Sequence, residues 1–227
     1  MIERSLIAID GIDGSGKSML ADRLVEALRA EGLASVLFRV DDFRRAVDWT
    51  RTDRREADLY YDDYYDLGAL EGCLRGFLRG APFAEFTPID LPSGRALPAR
   101  RVDFSGAVFA LVEGVFVRRL PSVIERGAVI VVETTPAEAR RRILARDAAK
   151  GRSQAEIAHR IAARYFPGQD RYRAALDPRA QPAAIVDNEK PTAPELIALH
   201  AERLPAAVTK GLRRLVEPRQ TRPTPTR

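Results

Sequence analysis

The chain reads as an α/β protein, a three-layer α/β/α sandwich around a mostly parallel central sheet. Three observations predict this. Apolar β-type runs alternate with helix-spaced segments along most of the 227 residues. Two of those runs, 107–112 and 128–133, are continuously apolar, as strands buried on both faces are. A glycine-rich turn joins the first strand to the first helix, Gly11-Ile-Asp-Gly-Ser-Gly-Lys-Ser18, and fits G-x-x-x-x-G-K-[ST].

Each element follows from its local pattern. Ser5-Leu-Ile-Ala-Ile-Asp10 is a strand. Residues 17–31 carry apolar side chains at 20, 24, 25 and 28, which is helical spacing. A second strand spans 34–40, a polar stretch 41–65, and a helix 66–79. Segment 82–105 is rich in Pro and Gly and suits a small hairpin insertion. Strand 107–112 precedes a helix at 117–126, and strand 128–133 precedes helices at 136–149 and 153–165, a helical lid of about 140–165. A short strand at 184–187 leads to a last helix near 193–213. Residues 1–215 form one expected domain. The tail 216–227 has little apolar surface to bury and reads as disordered.

Composition narrows the function classes. No run approaches the 18 apolar residues needed to cross a bilayer, and no leader pattern opens the chain. The single cysteine, Cys73, can form no internal disulfide, sits at an apolar helix position and reads as core. These features suggest a cytoplasmic protein without membrane partners. Net charge is +5, yet the arginines are dispersed among acids with no aromatic-interleaved stripe, which argues against nucleic acid. His159 and His200 read as structural residues of helices without partners. A homo-oligomer is allowed.

The glycine turn carries the most chemistry. Glycines 11, 14 and 16 allow the main-chain N–H groups to converge on phosphate oxygens, with the helix dipole behind them. Lys17 is expected to bridge the β- and γ-phosphates of ATP, and Ser18 to ligate Mg²⁺. Asp13, Ser15 and Met19 complete the expected nucleotide contacts. In open α/β sheets, ligands sit at the carboxyl ends of the strands. Asp41 follows the second strand and Glu113 the strand 107–112, so both are candidate magnesium partners with Ser18, and Asp41 a candidate general base. A solvated turn or cap is the bland reading of each. Leu59-Tyr-Tyr-Asp-Asp-Tyr-Tyr-Asp66 holds four of the six tyrosines and suits a polyhydroxylated or ring-bearing ligand as well as it suits a helix start. Arg140, Arg141, Arg142 and Arg146 precede Lys150 and Arg152. They read as a solvated face or as cations closing over a transferred phosphate.

With those residues placed, the chain resembles the uridine kinase-like branch of the P-loop kinases, which includes phosphoribulokinase-type and pantothenate kinase-type enzymes. The resemblance covers most of 5–190 and rests on Asp41-Asp-Phe43, Leu111-Val-Glu-Gly-Val-Phe116, Arg146-Asp147…Gly151-Arg152 and Ile185-Val-Asp-Asn188. It also rests on the tyrosine segment 60–66 and Arg164-Tyr-Phe-Pro-Gly-Gln169…Tyr172. It implies a P-loop NTPase fold and transfer of the ATP γ-phosphate to a hydroxyl of a small molecule, a nucleoside or another ribosyl or sugar-like alcohol. It implies Asp41 as base with Lys17 and Arg146 as catalytic partners. Asn188 is implied near the adenine. Asp41, Phe43, Tyr61, Asp63, Tyr65, Glu113, Arg142 and Arg152 are implied around the acceptor. One departure stands out. Ile89 occupies the place of the tyrosine with which uridine–cytidine kinases read the pyrimidine, and no histidine follows, so a different acceptor pocket is expected. The loop also resembles that of thymidylate kinases, so a nucleoside monophosphate kinase is the alternative. A nucleotide-dependent regulatory ATPase is the alternative of another class. A GTPase is disfavoured, since Asn188-Glu-Lys-Pro191 is not a guanine-reading Asn-Lys-x-Asp.

Overall fold

The computed structural model describes residues 4–218 apart from residue 52. β1 (Ser5–Asp10) runs straight into the glycine turn and α1 (Lys17–Ala30). β2 (Ser35–Arg39) ends in a 3₁₀ turn, Val40–Phe43. Then come α2 (Glu56–Asp62) and α3 (Leu67–Leu78), the latter capped by the Asp66 carboxylate, which accepts from Ala69 N at 2.9 Å. Two small ribbons follow. β3 (Phe83–Phe86) pairs with β6 (Arg100–Asp103) and encloses β4 (Ile89–Asp90) paired with β5 (Arg95–Ala96).

β7 (Phe109–Glu113) leads through a 3₁₀ turn to α4 (Pro121–Arg126), and β8 (Gly127–Glu133) to α5 (Pro136–Ala148). α5 starts as its sequence dictates, with Thr135 capping Glu138 N at 3.2 Å and Pro136 in the first turn. α6 (Gln154–Arg160) and α7 (Phe166–Ala174) are joined by a π-turn at Ile161–Tyr165, a widening that often marks function. β9 (Pro182–Asp187), β10 (Glu195–Leu199), α8 (Ala206–Leu215) and β11 (Glu217–Pro218) close the described chain.

The main sheet has the order β11-β10-β9-β8-β1-β7-β2. All neighbours from β9 to β2 are parallel, while β10 runs antiparallel to β9. One apolar layer packs α1 and α8 on the sheet through Leu20, Leu24, Leu28, Val208 and Leu212. The other packs α3, α4, α7 and the first ribbon on it, through Leu70, Phe77, Phe104, Val123 and Tyr172. β7 is buried along its whole length, and each fully buried aliphatic side chain contributes about 1.5–3 kcal/mol. β1 lies between β7 and β8, so the chain leaves the sheet centre on both sides of it. That switch point opens the crevice at the strands' carboxyl ends.

Three expectations are corrected. Residues 193–213 are not one helix: 195–199 form an edge strand and only Ala206–Leu215 is helical. His200 therefore follows a strand, and its Nδ1 lies 3.7 Å from Glu202, while His159 bonds Glu56 at 2.8 Å. Residues 216–218 are ordered rather than part of the expected disordered tail, because Val216 is buried and Glu217–Pro218 pairs with β10; the rest of that expectation, residues 219–227, lies outside the described residues. No described helix is long and apolar enough to cross a membrane.

Candidate active site at the strand ends

The turn after β1 forms a nest. Gly14 and Gly16 hold φ of 80° and 94°, a left-handed region that favours glycine. A Cβ on Gly14 would meet Ala139 O at 2.6 Å, and one on Gly16 would strike Asn188 Nδ2. Lys17 is 9% exposed. Its ammonium makes only a long bond to Ile12 O, 3.4 Å, and no carboxylate among the described residues is within ion-pair distance. The Ser15 hydroxyl is buried in the same loop with no partner among the described residues. A buried cation and converging N–H groups left this way suit an anion.

Acidic groups face the nest from the next strands. Glu113 ends β7, directly opposite Arg39 of β2 and Ile9 of β1. Its carboxylate accepts from Ser18 Oγ at 3.1 Å and from Arg39 Nη1 at 3.1 Å. Burial pushes its pKa above the ordinary value, against Lys17 and Arg39, and the like charge of Asp41 adds to the rise. Asp41 sits exposed on the 3₁₀ turn after β2 and accepts from the Tyr65 hydroxyl at 3.3 Å. Burial holds the Tyr65 pKa well above its usual value, so the phenol stays protonated as a donor. Phe43 is buried and stacks on Phe86, 4.3 Å between centroids.

A second network locks the nest from beneath. Asp13 Oδ2 accepts from Tyr60 of α2 and from Gln169 of α7, both at 2.8 Å. Buried Asp10 accepts from Gly11 N at 2.9 Å and Tyr172 Oη at 3.0 Å, with Arg118 at 3.7 Å. Burial raises its pKa. None of Tyr60, Gln169, Asp10, Tyr172, Arg118 or Arg39 was singled out as a site residue from the sequence. Arg39 carried a signal, since it ends the strand that delivers Asp41. Tyr60 and Gln169 lay in quoted motifs without assigned roles.

The other expected site residues make contacts of their own. Arg142 packs against the nest. Its guanidinium bonds the carbonyls of Gly14 (3.2 Å), Ser15 (3.3 Å), Asn188 (2.7 Å) and Glu189 (3.0 Å), buttressing the nest from outside. The Asn188 side chain likewise donates to Ser15 O at 2.6 Å rather than standing open toward a nucleotide base. Tyr61 is packed between Arg119 and Arg171, 3.8 and 4.2 Å from its ring. Asp63 is ion-paired to Arg54. Arg152 is held 3.1 Å from Asp147, which is 1% exposed, and Arg146 bonds the same carboxylate at 2.7 Å. Arg146 also feels the charge of Asp13. Met19 is exposed in the first turn of α1.

No family model and no curated protein matches the sequence. Solved structures do share the fold. A structure described as a possible uridine kinase from Bacillus stearothermophilus is 21% identical, with a TM-score of 0.62 over 82% of this chain and 89% of that one. The phosphoribulokinase from Rhodobacter spheroides is 17% identical, with 0.55 over 82% and 71%. The D-glycerate 3-kinase from Cryptococcus neoformans is 13% identical, with 0.55 over 87% and 91%. The architecture, a mostly parallel sheet with helices on both faces, is the one these proteins have.

Proposed function

We propose that the protein is an ATP-dependent phosphotransferase that moves the γ-phosphoryl group to a hydroxyl of a small molecule, a ribosyl or other sugar-like alcohol. The supporting observation is the buried Lys17 ammonium in the glycine nest, without an ion-pair partner among the described residues, with Glu113 near enough to feel the charges of both Lys17 and Asp41. Kinase structures of the same fold, among them the phosphoribulokinase and the D-glycerate 3-kinase, point the same way.

The residues present fit a nucleotide with a hard cation. The nest and Lys17 match phosphate oxygens, and the Ser18–Glu113 pair offers oxygen donors. Ser18, Glu113 and Asp41 would hold Mg²⁺, which when bound would neutralise charge on the phosphate oxygens. The protein's own groups do the rest. Main-chain N–H groups of Gly14, Gly16, Lys17 and Ser18, with the Lys17 ammonium, orient the phosphate chain, while those of Gly11 and Ser15 are spent on Asp10 and on Ile12 O. Asp41 accepts the proton of the acceptor hydroxyl, with Tyr65 fixing its carboxylate. Arg146, whose charge is felt as far as Asp13, would supply positive charge near the transferred group. On this reading the protein is cytoplasmic and needs neither nucleic acid nor membrane.

ADP release, followed across nucleosides, nucleoside monophosphates, sugars and hydroxy acids, tests the reading. An acceptor-dependent signal absent from the Asp41→Asn variant is expected. Acceptor-independent hydrolysis alone, or full turnover in that variant, would sink it, and preference for monophosphates would favour the nucleotide-kinase alternative.

A further inference from the structure

Arginines crowd the side of the crevice built by residues 44–66 and the ribbons, and most are neutralised there. Arg45 pairs with Asp66 at 2.8 Å, Arg54 with Asp62 at 2.6 Å and with Asp63, Arg100 with Asp42 at 2.8 Å, and Arg171 with Asp58 and Asp62. Arg44 is different. Among the described residues no carboxylate comes within 4.0 Å of its guanidinium. Its Nε donates to the main-chain oxygen of Asp41 at 2.7 Å, and its fork also meets the Tyr64 hydroxyl, so the groups it bonds are neutral. Burial works against its charge, and Asp41, Tyr64 and Tyr65 nearby more than compensate.

Arg44 also lines a cavity of about 490 Å³ between α3 and the ribbons. Phe43 and Phe86 form a stacked aromatic wall of that cavity. Glu85 lines it too, exposed and without an ion pair among the described residues. The volume falls in the range of small-ligand sites. A partly desolvated guanidinium bonded only to neutral groups matches the planar or tetrahedral oxygens of a carboxylate or phosphate, and a neutral acceptor would leave its charge unpaired.

We propose that this cavity seats the charged end of the acceptor, an oxyanion, phosphate or carboxylate, bound by Arg44, whose Nε is fixed on the Asp41 main chain at the cavity's edge, so that the acceptor's hydroxyl end extends out of the cavity toward Asp41. Aromatic faces cover its carbon skeleton, and Glu85 accepts hydrogens from further hydroxyls. The inference rests on the kinase reading for the role of Asp41 and on Arg44 and the cavity for the charge.

Calorimetric titration of the intact protein with matched probes tests it: ribose against ribose 5-phosphate, and glycerol against D-glycerate. At least one charged member should bind about 10-fold more tightly than its neutral counterpart. Arg44→Ala should erase that preference and Arg44→Lys keep part of it, with ATP affinity unchanged in both. Which charged member binds tells phosphate from carboxylate. Equal binding within both pairs, no binding of either charged probe, or a preference that survives in folded Arg44→Ala would overturn the inference. Turnover in the same samples separates it from the kinase reading. Transfer to neutral members alone overturns the oxyanion and keeps the kinase. Arg44-dependent oxyanion binding with no transfer to any acceptor upholds the oxyanion and sinks the kinase.

Discussion

The two sides of Lys17 are built from different materials. On the nest side, main chain does the holding: two glycines take left-handed angles, and Arg142 and Asn188 satisfy the loop's carbonyls from outside. On the acceptor side, side chains do it. Asp41 and Tyr65 face the site from turns, and arginine–carboxylate pairs such as Arg45–Asp66, with side chains 55% and 34% exposed, hold the segments that carry them. A backbone cradle recognises what every triphosphate shares and tolerates few changes. A side-chain pocket can be rewritten one residue at a time. The contrast predicts that substitutions separate cleanly into those that disable nucleotide binding and those that alter the acceptor.

Asp41→Asn is the largest test. Turnover should fall by about 10²–10⁴-fold through loss of the base, with ATP affinity within twofold by calorimetry; an equal loss of ATP binding would break the division. Gly16→Ala comes next. It forces a Cβ into a left-handed position against Asn188 and should weaken ATP binding by roughly 30-fold, whatever the acceptor. Tyr65→Phe removes one donor from Asp41 and should lower acceptor kcat/KM by about 10-fold, leaving ATP binding alone.

Acidity probes the nest side more gently. Burial lifts Asp10 and Glu113 above their ordinary 3.8 and 4.5. The native state then keeps protons that the unfolded chain has released, so these groups' contribution to stability is present at low pH and is lost as pH rises through their native pKa values. Carboxylates held low by arginines, such as Glu56 and Glu138, slope the other way, so the test is a difference: in denaturant titrations the stability of wild type relative to Glu113→Gln should fall as pH rises through the native pKa of Glu113. The smallest effect belongs to the acceptor-side surface. Arg54→Ala breaks partly exposed pairs with Asp62 and Asp63 and should change stability by less than about 1 kcal/mol.

Legibility in the sequence followed the same division. The strand, nest and α1 were readable because each local rule agreed, and Glu113 was readable because a continuous apolar run ends on it. The strand at 195–199 was not. Glu195, Leu196, Ala198 and Leu199 are good helix formers, and pairing with β9, a contact invisible to propensity, overrides them. The contact of Arg142 with the nest was not legible, because a run of arginines on a helix says nothing about which one turns inward. Arg142 is 15% exposed, while Arg141 is 68% exposed. Tyr60 and Tyr61 are adjacent and chemically identical, and only the packing of α2 decides that Tyr60 reaches Asp13 while Tyr61 turns to Arg119 and Arg171.

Asp13 joins three parts of the molecule at one atom: its Oδ2 receives Tyr60 from the helix ahead of the acceptor segment and Gln169 from the helix that follows the π-turn. A displacement of the loop that carries Asp13 pulls on both helices together through these two bonds. On the proposed reading, a phosphate group seated in the nest would be felt, through one carboxylate oxygen, on the side proposed for the acceptor.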